Sequence, residues 1–161
     1  MIITIDGTPK SKQSVKASVS HGKIHTYQPA SVVDYENYVK IICLQQRPKG
    51  FKLYEEPLIM FCQYIFPTLK TFTKKKKQIL TDGGYIFKDT KPDVTDNLTK
   101  ALADALSGII YNDDARIVAY QGVKYYADED PKTIITILTL QEFYINGMNW
   151  WSKILRNGIR L

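Results

Sequence analysis

The segment over residues 58–66, LIMFCQYIF, constrains the fold of this chain more than any other. Every residue in it except Gln63 is apolar or aromatic, so polar side chains do not alternate with apolar ones. A strand without that alternation has both faces buried. Pro67 ends it because proline has no N–H for sheet pairing. The segment therefore predicts a strand at the centre of a sheet.

Two main helices are predicted around this strand. Apolar residues at helical spacing predict the first over residues 30–46, between Pro29 and Pro48. The second is predicted over residues 93–107, with Gly108 as its C-cap. A short helix is also expected around the lysine run that begins at residue 74.

The remaining strands are predicted from β-branched and aromatic runs between turn residues. They lie at residues 2–5, within 22–27, at 117–126 and at 133–140. Residues 7–23 are interpreted as a polar, lysine-rich loop, and residues 128–131 as the hairpin loop joining the last two strands.

This order of elements predicts one domain of the α+β (mixed α/β) class. Its 161 residues suit a single core. The expected architecture is a mixed sheet of about four to five strands with two main helices and a C-terminal helix. The domain covers residues 1–161, with 142–161 as a tail in which Trp150 and Trp151 have helical spacing with Ile154 and Leu155. That tail is expected to pack on the body or on a second subunit.

The charge distribution favours a polyanionic partner. The formal net charge is +6 and the pI is about 9.2, which favours nucleic acid first and an acidic membrane second. Lysines gather in two segments, at residues 10–23 and 70–77, whereas acids gather between Asp89 and Asp114. A basic chain that holds a local acidic cluster is more informative than either feature alone.

Several other classes of protein are disfavoured. Cys43 and Cys62 have no metal-binding spacing and are expected to be reduced and buried. His21 and His25 are too few for a zinc site. The N-terminus lacks the apolar core of a signal peptide, and no apolar run approaches the ~20 residues that cross a bilayer. An intracellular protein without membrane contact or small-molecule cofactor is therefore expected.

The predicted second helix carries the candidate site. At about 100° per residue, its apolar residues fall on one stripe, and Asp93, Asp96 and Lys100 share the opposite, exposed face. A purely structural interpretation is available for each. Asp93 and Asp96 have capping-box spacing, Asp96 and Lys100 form an i,i+4 pair, and Asp113-Asp114 suits a turn.

Taken together, these residues suggest metal-dependent phosphoryl chemistry. Magnesium uses a few carboxylates together with water and substrate phosphate. In a phosphodiesterase the metal neutralises the phosphate and helps to generate the attacking hydroxide. A neighbouring lysine stabilises charge that develops on the phosphorus or on the leaving oxygen. Basic surroundings offset the repulsion between the acids and DNA.

Three sequence blocks resemble the RusA family of Holliday-junction resolvases. They are residues 91–101 (KPDVTDNLTKA), 104–108 (DALSG) and 112–117 (NDDARI), which resemble the family's K-P-D-x-D-N-L-x-K, D-A-L-x-G and D-D-A-x-I blocks. Residues 5–13 (IDGTPKSKQ) and 25–29 (HTYQP) resemble its opening strand, its basic loop and the approach to its first helix. The resemblance covers residues 2 to about 140.

The resemblance implies a homodimeric endonuclease that nicks paired strands of four-way DNA junctions with Mg²⁺, or with Mn²⁺ as a substitute. It implies a role in recombination and repair, in the bacterial cytoplasm or a phage-infected host. Metal-binding acids would be Asp93, Asp96 and Asp114, with Asp113 as a further neighbour, and Lys100 would be the catalytic lysine. The basic residues expected to contact the DNA backbone are Lys10, Lys12, Lys16, Lys74, Lys75 and Lys76.

Two departures from the family pattern leave alternatives open. Val94 and Thr95 both separate Asp93 from Asp96, where the family commonly has one residue. Ser14 and Val15 stand where many members have an arginine. One alternative is a non-catalytic protein that binds branched DNA on the same fold. The other is a nuclease of the same chemistry that acts on flaps, forks or RNA.

Overall fold

The computed structural model describes residues 1–11, 16–20, 23–27 and 29–147. Its main sheet has five strands in the order β1-β7-β4-β6-β5, and a separate antiparallel ribbon pairs β2 with β3. The strands are β1 (Ile2–Asp6), β2 (Lys16–Ser20), β3 (Lys23–Tyr27), β4 (Leu58–Pro67), β5 (Ile86–Phe87), β6 (Ile117–Ala127) and β7 (Lys132–Thr139). The predicted α+β class and the five-stranded mixed sheet are confirmed.

The helices flank this sheet. They are α1 (Ala30–Gln46), α2 (Lys74–Thr81), a π-helical turn (Val94–Thr99) that runs directly into α3 (Lys100–Leu106), a 3₁₀ turn (Asp114–Arg116) and a short α4 (Leu140–Glu142) followed by a second π-helical turn (Phe143–Gly147). The predicted bounds of the first helix are confirmed. The predicted second helix is present, but its first turn is π-helical.

The strand predicted to be central is central. β4 pairs in parallel with β6 on one side and antiparallel with β7 on the other, so that Cys62 lies between Gly122 and Ile135. Its alternate residues Met60 and Tyr64 are 1% exposed and belong to the core that α1 and α3 cover. On the opposite face, the Phe61 ring stacks on Phe143 with centroids 6.1 Å apart. Burial on both faces explains the unbroken apolar sequence.

Side chains of α1 occupy the free edge of β1. Gln46 donates from Nε2 to the Thr4 carbonyl and accepts the Thr4 N–H at 2.9 Å. The Tyr38 hydroxyl donates to the Asp6 carbonyl at 3.3 Å. These bonds satisfy backbone groups that a second strand would otherwise pair with, which protects the edge from adding another strand.

Two strands differ from the sequence prediction. β2 lies within residues 7–23, which were expected to be a loop, because the alternation of Ala17 and Val19 with polar residues covers only five positions of a segment rich in lysine and serine. Its pairing is local: Ser20 lies opposite Lys23 in a tight antiparallel connection. β5 has only two residues, too few to show a period, and forms by pairing with the last part of β6.

The predicted hairpin at residues 128–131 is wrong. β6 and β7 are both neighbours of β4, which lies between them. The loop therefore crosses the end of β4, where the Thr68 hydroxyl donates to the Ala127 carbonyl at 3.3 Å. Two strand spacings amount to about 10 Å, and four extended residues span about 13 Å. The loop is thus long enough for either connection, and its length alone could not distinguish them.

No helix in the described part of the chain is long and apolar enough to cross a membrane. Residues 140–147 give the helical start of the predicted C-terminal tail. The predicted packing of Trp150 and Trp151 lies outside the described residues.

Candidate active site

Asp93 is the N-cap of the π-helical turn. Its Oδ1 accepts the backbone N–H groups of Asp96 and Asn97, both at 3.0 Å, and Asn97 donates from Nδ2 to its Oδ2. Partial desolvation would raise the pKa of Asp93, but the bonds from Asn97 and Asp96 outweigh it and lower that pKa. The N-cap role of Asp93 is therefore confirmed, whereas the Asp96 side chain does not complete a capping box within the described residues. The Asp93 carboxylate stays ionised at neutral pH.

The turn after Asp93 is wider than an α-helix. The Leu98 N–H donates to the Asp93 carbonyl five residues back at 3.3 Å, and the Thr99 hydroxyl donates to the Val94 carbonyl. A π-helical turn holds one more residue per hydrogen-bonded ring than an α-helical turn. The two-residue spacer of Val94 and Thr95 lies within this wider turn.

Gly122 on β6 lets the turn approach the sheet. A Cβ at Gly122 would lie 2.0 Å from the Tyr120 hydroxyl oxygen and 2.5 Å from Val94 Cγ1. Real Cβ atoms do not come that close to other heavy atoms. The π-helical turn can therefore occupy its place only because residue 122 has no side chain.

The hydroxyls of Tyr64 and Tyr120 form a partly buried cluster on the sheet beside the π-helical turn. They lie 3.1 Å apart, close to Thr99, whose own hydroxyl donates to the Val94 carbonyl within the turn. Burial raises the pKa of Tyr64 and of Tyr120 well above the ordinary value, and it raises the pKa of the adjacent Cys62 thiol to about 12. These groups are neutral at physiological pH. They can hold the turn in place but cannot serve as its acid or base.

Asp96 and Lys100 lie on the exposed side of the helix, as predicted. The opposite stripe is buried at Leu98, Ala101, Leu102 and Ala105, whereas Ile109 lies beyond the helix end and is half-buried. Asp96 and Lys100, both within the described residues, form no ion pair within 4.0 Å of each other. Within residues 29–147, no hydrogen bond engages the Asp96 carboxylate.

The second acidic segment lies beside α3. The chain reverses at Gly108, where φ is +75°, and Tyr111 is anchored by its hydroxyl to the Ala103 carbonyl at 3.0 Å. Asp113 then caps the 3₁₀ turn by accepting the Ala115 N–H at 2.8 Å. Asp114 is exposed, and its charge lies close enough to raise the pKa of Tyr111, after the larger effect of burial.

The described residues do not form a preassembled metal cluster. No three His, Cys, Asp or Glu side chains among them converge on one point. Asp93 and Asp96 share one turn, and Asp113 and Asp114 share another, with α3 between the two turns. Magnesium is often held by only one or two carboxylates, with water and substrate phosphate completing the shell. Exposed carboxylates therefore fit that ion chemically, and their role as ligands stays a prediction.

The predicted DNA-binding lysines lie in two places. Lys10 is exposed beside a cavity of about 200 Å³ that Pro92 also lines, next to the acidic turn. Lys74, Lys75 and Lys76 are exposed on the first turn of α2, which Thr73 caps. Lys12 lies outside the described residues, and Lys16 is described only as part of β2.

Two lysines beside the acidic turn were missed by the sequence analysis. Lys124 donates from Nζ to the carbonyls of Thr90 and Pro92, both at 2.6 Å. Lys88 donates from Nζ to the Thr90 hydroxyl at 2.6 Å and to the Tyr126 hydroxyl at 3.1 Å. Lys124 interrupts the apolar stretch between Val123 and Tyr125, and this lysine within a predicted strand was the available signal.

The fold and the site together define an α+β domain with an exposed acidic helix start and lysines around it. Among known families, such a domain is described by the model for Endodeoxyribonuclease RusA, which matches residues 6–138 and so includes both acidic segments. The chain belongs to the RusA endodeoxyribonuclease family. A curated relative, the Bacillus subtilis (strain 168) "Uncharacterized protein YqaN", is 32% identical over 127 residues, or 78% of this chain and 87% of the relative.

Proposed function

We propose that this protein is a magnesium-dependent endonuclease that resolves four-way DNA junctions by paired phosphodiester nicks. The observation that carries the proposal is the family match, which spans the whole block from Asp93 to Lys100 as well as Asp114. The exposed Asp96 carboxylate within that block supports the proposal, because it accepts no hydrogen bond from the residues that the structure describes.

The hydrogen bonds suggest different roles for the acids. Asp96 and Asp114 are the acids proposed to hold the metal, whereas Asp93 and Asp113 cap the turns that carry them. A carboxylate has about four lone-pair sites, so Asp93 can add a ligand while it caps. Lys100 is proposed to stabilise charge on the reacting phosphate. Bound Mg²⁺, with Mn²⁺ as a substitute, would neutralise that phosphate and activate water.

Binding of DNA is assigned to the basic surfaces. Lys10, with Lys12 and Lys16 in the same basic segment, is proposed to bind the DNA backbone next to Pro92. Lys74, Lys75 and Lys76 are proposed to bind the backbone of a DNA arm farther from the acidic turn. Two symmetric nicks need two active sites related by a two-fold axis, so a homodimer is proposed. Because four-way junctions arise in DNA recombination and repair, we propose that the protein acts in these processes, in the bacterial cytoplasm or in a phage-infected host.

The test is a cleavage assay on a labelled synthetic four-way junction with Mg²⁺, repeated with Mn²⁺. Asp96→Asn keeps the side chain's size and one acceptor oxygen but removes its charge. Asp34→Asn, an exposed acid on α1, is the matched control. Paired nicks by wild type and Asp34→Asn, absent from an Asp96→Asn protein that still binds the junction, are the expected result.

A non-catalytic protein that binds branched DNA is the second candidate. The observations that favour it are the commitment of the Asp93 carboxylate to capping and the lack of a three-acid cluster among the described residues. It predicts salt-sensitive junction binding without nicks in either metal. Flaps, forks and RNA in the same assay separate a resolvase from a nuclease with another substrate.

A further inference from the structure

Lys124 fastens the segment that leads into the acidic turn. This segment, residues 88–93, is called the strap here. Lys124 lies within β6, and both of its short bonds end on strap carbonyls, those of Thr90 and Pro92. Pro92 is joined directly to Asp93, whose own carbonyl accepts the first bond of the π-helical turn. A displacement of the strap would therefore be passed to Asp93 and to the backbone N–H groups that it caps.

Lys124 bonds backbone carbonyls and not a carboxylate. Among the described residues it donates to backbone carbonyls and forms no ion pair within 4.0 Å, although Asp89 and Asp93 are near enough to raise its pKa. Partial burial and the neighbouring Lys88 act more strongly and lower that pKa. A flexible ammonium held at two fixed acceptors restrains a loop, since each bond to a charged donor is stronger than a neutral one.

Lys88 holds the strap at a different point. Its backbone N–H pairs with the Lys124 carbonyl at 3.0 Å, and its Nζ bonds the Thr90 side chain. Lys88 thus anchors the beginning of the strap to β6, whereas Lys124 anchors the end that adjoins Asp93. The two lysines can be separated by mutation, because they share no carbonyl acceptor.

We propose that Lys124 is a positioning residue: it ties the end of the strap to β6 and thereby sets the place of the Asp93–Asp96 turn for divalent metal and scissile phosphate. The catalytic part of this inference rests on the proposed function. The competing role for Lys124 is direct contact with a DNA phosphate, and the two roles differ in what they do to the free protein.

Four variants of the full chain separate these roles. Lys124→Met removes the charge and both bonds, Lys124→Arg keeps a charged donor, and Lys88→Met removes the other anchor. Lys52→Met, at an exposed position in the loop before β4, is the control. Hydrogen–deuterium exchange of residues 89–98 in the free protein reports the fastening without any need for activity. Thermal unfolding of each variant reports global stability.

The expected result is faster amide exchange at residues 96 and 97 in Lys124→Met, by about tenfold, the effect of losing a charge-assisted bond. The same variant should need several-fold more Mg²⁺ for half-maximal nicking. Lys124→Arg should have a Mg²⁺ requirement much closer to that of the wild type. Lys88→Met should loosen the start of the strap and affect the metal requirement less. Junction binding should keep its dependence on salt concentration.

Opposite results overturn the inference. Unchanged exchange together with a salt-dependence slope reduced by about one unit would make Lys124 a phosphate contact. Unchanged exchange with an unchanged metal requirement would make it a surface lysine without a role. If the wild type nicks no substrate, the proposed function fails, and Mn²⁺ binding followed by electron paramagnetic resonance still decides whether Lys124 positions the turn.

Discussion

The two acidic segments of this protein follow the same plan with different surroundings. In each, one aspartate caps a short non-α turn by accepting backbone N–H groups, and the next acid along the chain caps nothing in the described residues: Asp93 precedes Asp96, and Asp113 precedes Asp114. The first turn follows a segment held by Lys124, and its Val94 packs closely over Gly122 of β6, whereas the second turn follows a loop anchored by Tyr111. The comparison indicates that acids of one cluster can differ in their task, and that hydrogen bonds distinguish them.

The largest expected effect concerns the acid of each pair that does not cap its turn. We expect Asp96→Asn and Asp114→Asn each to lower the rate of junction nicking by at least about 100-fold, because the loss of even a group that supports a metal ligand costs 10–100-fold. Neither variant should lose thermal stability, since neither carboxylate holds a backbone group in the described chain. Single-turnover cleavage beside differential scanning fluorimetry measures both. If Asp93→Asn and Asp113→Asn lowered the nicking rate as much, the proposed division between metal-binding and capping acids would be wrong.

The next effect concerns the contact between the first turn and the sheet. Gly122→Ala puts a Cβ against the Tyr120 hydroxyl and Val94. We expect a loss of about 1–3 kcal/mol in the free energy of unfolding, which is typical of overpacking, together with slower nicking. The double variant with Tyr120→Phe should recover only part of this loss, because Tyr120 Cζ at 2.7 Å and Val94 remain too close. Urea unfolding of the four proteins of this cycle measures the coupling. Full recovery would show that the turn itself does not depend on Gly122.

A smaller effect is expected from the hydroxyl cluster. Tyr120→Phe removes the 3.1 Å bond to Tyr64 and should cost about 1 kcal/mol. Burial raises the pKa of Tyr120 in the folded protein, so its contribution is fully present below the unfolded value of about 10 and is lost as pH rises above that. Stability of the wild type should therefore fall above pH ~10, and less steeply in Tyr120→Phe. Identical slopes in urea unfolding at alkaline pH would contradict this assignment.

Much of the fold could be predicted from the sequence because burial leaves a pattern. The unbroken apolar run of β4 and the helical spacing of α1 both reflect the core they face. The position of β4 between β6 and β7 had no such signal, since pairing partners are chosen across the sheet and not along the chain. β5 was too short to show any period.

The sequence predicted which residues form the candidate site, but not the local structure that positions them. The motifs located Asp96, Lys100 and Asp114, and helical arithmetic correctly put Lys100 opposite the buried Leu102. The π-helical turn was not foreseen, because it depends on Gly122, which lies far along the chain on another element. The support from Lys124 was not foreseen for the same reason: its acceptors are backbone carbonyls, which carry no sequence signature.

The smallest expected effect concerns the capping acid of the first pair. Asp93→Asn keeps a good N-cap acceptor for the backbone N–H groups of Asp96 and Asn97. It removes the charge and replaces Oδ2, which accepts from Asn97 Nδ2, with an amide nitrogen that can only donate. Hydrogen bonds lower the pKa of Asp93 in the folded protein, so the advantage of the aspartate is present above the unfolded value of about 3.9 and is lost as pH falls through the lower folded value. Wild type should therefore melt slightly higher than Asp93→Asn at neutral pH, and the gap should narrow as pH falls below the unfolded pKa of the aspartate.

Nicking by Asp93→Asn should remain measurable under conditions where Asp96→Asn shows none, with Asp113→Asn as the matched variant on the second turn. A gap in melting temperature that persists at low pH would mean that the side-chain amide distorts the turn. Complete loss of nicking in Asp93→Asn alone would give that carboxylate a metal-binding task in addition to its cap. The two turns would then differ in chemistry as well as in support. Asp93 already accepts three hydrogen bonds, so an ion would have to take one of the few lone-pair sites that remain on its carboxylate.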